Sequence, residues 1–155
     1  MSSNRGLAND ALYSARILID AWESASAGGP GAEPVARAFR PAVLLHLARA
    51  YGWGLLAVAG ADVETDPQRL PRNVAEVPAP PVGRSVTPEL REFEILEREG
   101  WIGELLAAEV AAPAPRASTG MLGSDRSPVG PGELGDWVRR LAATLDRMDD
   151  LLAEC

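Results

Sequence analysis

The run VLLHLARAYGWGLLAVAG, residues 43–60, decides the fold. It is apolar on nearly every side, carries the only histidine of the chain, His46, and holds a single charge, Arg49. A surface helix keeps a polar face, so this run reads as the central helix of a small bundle, buried by its neighbours. Gly52 and Gly54 each weaken a helix by about 1 kcal/mol relative to alanine. With Ala48 and Ala50 they also form a small-residue patch beside Trp53, where a neighbouring helix can approach closely. The run is near the minimum length of a membrane span, but His46 and Arg49 are each costly at mid-bilayer. Burial in a protein core explains it more cheaply, and no membrane association is expected.

The flanking sequence supplies the neighbours. Upstream, the second helix starts near Glu33, with Pro34 suited to its first turn. Pro41 lies deeper, where its missing N–H and its ring should bend the helix near Phe39–Pro41 or start a new one. Before it, residues 4–24 place Leu7, Ala11, Leu12, Ala15, Leu18, Ile19 and Trp22 on one helical stripe. Asn9, Tyr13, Arg16 and Asp20 form a polar stripe on another face, where Arg16 and Asp20 can pair at i, i+4. The sequence SASAGGPGAE ends this helix in a turn.

Downstream, residues 61–86 are a Pro-rich connector without a sustained period, expected to drape over the bundle or stay partly disordered. Thr87-Pro88-Glu89 is a helix start, with Thr as N-cap, Pro at N1 and an acid in the first turn. Leu90, Phe93 and Leu96 face the core, Gly100 breaks or bends the helix, and Trp101, Ile102, Leu105, Leu106 and Ala108 continue the apolar surface. Residues 113–131 are expected to form a second flexible loop. The last helix, residues 132–154, carries the most regular seam: Leu134, Trp137, Leu141, Leu145, Met148 and Leu152, widened by Val138 and Leu151. Its arginines lie early and its acids late, against the helix dipole, so packing must hold it. The expectation is an all-α single domain over 1–155, a four-helix bundle with kinked second and third helices and two long irregular loops.

Composition excludes several functions. The 155-residue chain has a formal net charge of −7, whereas a general nucleic-acid binder presents a basic face to phosphates. All 15 basic residues are arginine, so no Schiff-base, Walker A or general-base lysine exists. The one cysteine, Cys155, cannot close an internal disulfide, and MSSNRGLAND lacks the apolar segment of a signal peptide. A cytoplasmic location is expected. No Gly-rich phosphate loop, cysteine cluster or nucleophile motif is present. A bundle di-metal site needs inward glutamates and Glu-x-x-His repeats, but Val43 stands three residues before His46. No metal and no cofactor are expected.

Two resemblances follow from particular segments. Residues 11–22 (ALYSARILIDAW), 44–56 (LLHLARAYGWGLL), 87–110 (TPELREFEILEREGWIGELLAAEV) and 145–154 (LDRMDDLLAE) together resemble a family of small helical bacterial proteins, a domain of unknown function. That likeness implies a helical bundle in a bacterial cytoplasm and carries over no catalytic motif. Separately, Arg40-Pro-Ala-Val-Leu-Leu-His46 is similar to the Arg-x(4–6)-His motif of HEPN-type helical ribonucleases. This resemblance implies that Arg40 and His46 act together on RNA across a dimer cleft. The chain departs from that pattern in having Pro41 after the arginine and the motif early in the sequence. In an unbroken helix the two side chains also diverge by about 120°.

The leading functional reading is a non-enzymatic protein that self-associates, as a homodimer, or binds a protein partner. Its candidate binding residues are Tyr13, Arg16, His46, Arg49 and Trp53. The alternative is an HEPN-like ribonuclease or toxin-type protein using Arg40 and His46.

Overall fold

The computed structural model describes residues 3–27, 31–61, 69–80, 82–111 and 128–154. These residues are all-helical, with no strand among them. In chain order the helices are α1 (Asn4–Ser26), α2 (Ala32–Ala59), α3 (Pro88–Glu99), α4 (Trp101–Ala111) and α5 (Pro131–Ala153). A 3-10 turn, Val74–Glu76, lies between α2 and α3. There are thus five described α-helices rather than four, because Gly100 divides the third segment. Its extended backbone (φ −128°, ψ −168°) ends α3, and Trp101 starts α4 at once. Gly103 makes this sharp return possible: a Cβ there would lie only 2.2 Å from the carbonyl oxygen of Glu97.

Of the two outcomes expected at Pro41, a bend or the start of a new helix, the second is not observed. A single α-helix runs from Ala32 to Ala59 through Pro41. Contacts on both sides of the proline hold it. Phe39 stacks on Trp22 of α1 (ring centroids 6.4 Å apart), Arg40 bonds to the chain before α5, and Val43 and Leu44 are fully buried. Gly60 ends α2 in the left-handed conformation (φ 62°), with Ala61 N–H bonded back to Leu56 O at 3.1 Å. Glycine adopts that conformation without steric penalty.

Helix directions follow from pairs of contacts at opposite ends. Asn4 Nδ2 donates to Ala61 O (3.0 Å), while Trp22 meets Phe39, so α1 and α2 are antiparallel. Arg40 lies beside Val129, and Gly54 beside Leu145, so α5 runs parallel to α2. The acids late in α5 have a partner from outside the helix. Arg5 of α1 pairs with Asp146 and Asp149, the latter at 2.6 Å, which offsets their unfavourable position against the dipole. Arg147 pairs with Glu92 of α3.

Helix α2 is the hub, and α1, α3, α4 and α5 all pack on it. Residues 50–56 are buried without exception, and seven consecutive residues cover the whole helix circumference. The described part of the connector closes one side. Pro71 is buried, and Leu70, Val74 and Val77 pack against the core. Residues 62–68 and 81 of the expected flexible connector lie outside the described residues, as does most of the expected loop at 113–131. Close approach requires the α2 glycines. A Cβ at Gly52 would sit 2.7 Å from the Pro71 carbonyl oxygen, and one at Gly54 would sit 2.7 Å from Leu145 Cδ2.

These contacts set the sign of two alanine substitutions. Gly52→Ala must push back a backbone carbonyl and is expected to destabilise by about 1–3 kcal/mol. At Gly135 of α5 a Cβ meets only the tip of Arg139 at 3.5 Å. Gly135→Ala should therefore stabilise by up to about 1 kcal/mol through helix propensity. Urea denaturation followed by circular dichroism distinguishes the two; equal effects would contradict the packing described.

Candidate functional site

The core-facing stripe of α1 is Ala8, Ala11, Leu12, Ala15, Ile19 and Trp22. With 3.6 residues per turn, Tyr13 and Ile17 fall opposite it. They are 63% and 51% exposed, a large apolar area for a helix whose other outward positions are mostly polar. On α2 the half before residue 50 is covered on one side only. Ala38, Leu45 and Arg49 point outward, with Leu45 43% exposed. The antiparallel register fixed by the Asn4–Ala61 and Trp22–Phe39 ends sets Ile17 level with the turn of α2 that holds His46. Tyr13 and Ile17 on the outer face of α1, and Leu45, His46 and Arg49 on the uncovered part of α2, thus lie at neighbouring levels of the bundle.

His46 is half-buried on this part of α2. Burial, and secondarily the Arg49 guanidinium, hold its imidazole below the usual histidine range. At neutral pH it is uncharged and has one ring nitrogen free to accept a hydrogen bond. Trp53 belongs elsewhere: at 8% exposure it is part of the core and is not presented to a partner. Trp53 lies within residues 50–56, buried on every side of α2 as the apolar run predicts, and this burial excludes the binding role expected of it.

Arg40 is committed to the fold. Its Nε donates to Val129 O at 2.8 Å, and its guanidinium lies 5.7 Å from the centre of the Trp22 ring. This anchors the start of α5 to α1 and α2. The arginine of the Arg40–His46 motif is thus turned toward the bundle, consistent with the helical divergence of the two positions.

Arg16 and Asp20 are exposed and make no ion pair with each other. With Ile19 and Glu23 they border a shallow groove of about 240 Å³, closed on its other side by Pro131, Gly132, Gly135, Val138 and Arg139 of α5. Its charges are of both signs, two arginines and two acids. Among the described residues no three of His, Cys, Asp and Glu gather into a metal-binding group. Cys155 lies outside the described residues. Helix α2 is long and apolar enough to cross a membrane, and 61% of its most apolar stretch is buried inside the bundle.

The polar cluster that sequence reading missed is structural. Tyr51 is 1% exposed; its hydroxyl donates to Glu97 Oε1 at 2.6 Å, and the same oxygen accepts from Val74 N–H at 2.8 Å. Burial, then the hydrogen bond and charge of Glu97, push the phenol far above its usual range, so it stays a neutral donor. The edge of Phe93 packs on the Tyr51 ring, 5.3 Å between centroids. Only the alternation of Phe93 and Glu97 on one helix face hinted at this cluster. Compared with known proteins, the chain matches no family model, no curated protein and no solved structure at a significant level.

The depressed basicity of His46 has a signed consequence. Well above pH 6.5 the imidazole is neutral folded and unfolded, and contributes no pH dependence. As pH falls below 6.5 the unfolded chain takes up the proton first, so stability drops until the folded-state value is passed. Urea midpoints at about pH 7.5 and 5.5 should differ in the wild type and differ less in His46→Gln. An unchanged difference in the variant would contradict this.

Proposed function

We propose that this is a non-enzymatic protein that acts by self-association or by binding a protein partner through the outer face of α1 and the uncovered part of α2. In this reading the chain is a four-arm helical bundle whose third arm is broken at Gly100. The observation that carries it is the pair Tyr13 and Ile17, neighbours at i, i+4, both directed away from the core and both more than half exposed. Single exposed apolar side chains are ordinary on any surface, whereas adjacent ones rimmed by polar groups mark contact sites. Here Asn9, Asp10, Arg16 and Asp20 provide the rim. On α2, at a neighbouring level, the exposed Leu45 adds an apolar position, with the half-buried His46 and the exposed Arg49 on the same helix.

The ribonuclease alternative requires Arg40 to leave Val129 and Trp22 and swing toward His46. Those contacts weigh against it, as does the acidic charge of the chain.

Light scattering over a wide concentration range tests the reading. The apparent mass should rise above the 16.4 kDa of one chain as concentration increases. Ile17→Asp, which places a charge in the apolar pair, should hold it at one chain. A mass of one chain at every concentration would remove self-association. Incubation with RNA should give no cleavage, and cleavage lost in His46→Ala would overturn the non-enzymatic reading.

A further inference from the structure

Arg16 and Asp20 stand four residues apart on the same flank of α1, beside Tyr13 and Ile17. Both are exposed, and among the described residues neither makes an ion pair. Arginine N-terminal to the acid is the poorer orientation for a pair within a helix. Two opposite charges bordering an apolar strip, without an ion pair among the described residues, form a self-complementary pattern.

We infer that α1 is the surface on which a second copy of this chain docks, helix against helix and antiparallel, about a two-fold axis at the level of residue 18. The inference rests on the self-association reading and adds its partner, face and register. In a two-fold antiparallel pair, a residue before the axis meets the residue equally far beyond it, and like flanks adjoin. Arg16 then meets Asp20 of the second copy, and Asp20 meets its Arg16, giving two equivalent ion pairs. Ile17 lies almost on the axis against its own counterpart. The remaining acids also find acceptable neighbours, with Glu23 level with Tyr13 and Asp10 level with Ser26. A parallel two-fold pairing would instead put the Arg16–Asp20 flanks of the two copies on opposite sides of the contact and form neither ion pair. The helix has 23 residues, about 35 Å of length over which the two copies can meet.

Charge reversal tests the pairing. Arg16→Asp and Asp20→Arg should each weaken dimerisation roughly tenfold or more, since each sets two like-charge contacts across the axis. The double variant carrying both changes restores opposite charges and should return to near wild-type association. Circular dichroism checks that the variants keep their helix content. Disulfide trapping tests the register in a Cys155→Ser background. Ile17→Cys should form an inter-chain disulfide readily. Tyr13→Cys should not, because the two thiols would lie about 15 Å apart along the pair.

A dimer whose affinity ignores both single reversals, or stays impaired in the double variant, would overturn the inference and leave self-association standing on another face. Trapping through Tyr13→Cys but not Ile17→Cys would overturn the register. A wild-type chain that stays single at every concentration would overturn self-association itself.

Discussion

The structure depends on surrounding the middle of α2. Over residues 50–56 this helix has no face that tolerates water, so neighbours must approach from all directions. An α-helix with ordinary side chains is about 10 Å across, and one neighbour covers only part of that circumference. Helices α1 and α5 cover two sides, and α3, α4 and the chain at 69–77 close the others. The glycines follow from this crowding. Gly52 admits the Pro71 carbonyl, Gly54 admits Leu145, and Gly103 lets α4 fold back against the end of α3. Residues that weaken an isolated helix are here the condition for packing it.

Burying Tyr51 at that centre creates a second requirement, because a hydroxyl removed from water needs a partner. Glu97 supplies it, and its same oxygen accepts the Val74 N–H. One carboxylate therefore joins α2, α3 and the 3-10 turn. The neutral phenol is a donor and the carboxylate an acceptor, so the arrangement is satisfied without burying an unpaired charge. The charged residues at the bundle's edge join helices in the same way, Arg5 linking α1 to α5 and Arg147 linking α5 to α3.

What the bundle leaves uncovered is the outer side of α1 and the first half of α2. Coverage is asymmetric because α3 and α4 are engaged at the other half of α2, where Tyr51, Phe93 and Glu97 meet. His46 sits before that covered half, which explains why it is only half-buried although it belongs to the most apolar run of the chain. Arg40, six residues earlier, is drawn inward by Val129 and Trp22. Two residues that look like a motif in the sequence thus serve different sides of the same helix.

Apolar periodicity alone determined that the chain is helical, where each helix runs to within a few residues, and which stripes of α1 and α5 face the core. Thr87, Pro88 and Gly100 likewise set the ends of α3, because caps and breakers act through neighbouring backbone. The outward placement of Tyr13 and Arg16 was legible for the same reason. Tertiary structure decided the rest. It carried α2 through Pro41 as one helix rather than two, with packed side chains on both flanks of the missing hydrogen bond. It also committed Arg40 to the fold and joined Tyr51 to Glu97 across 46 residues of sequence. Each of these depends on which helices meet and at what level, and that is set by contacts between distant segments rather than by the local pattern of any one of them.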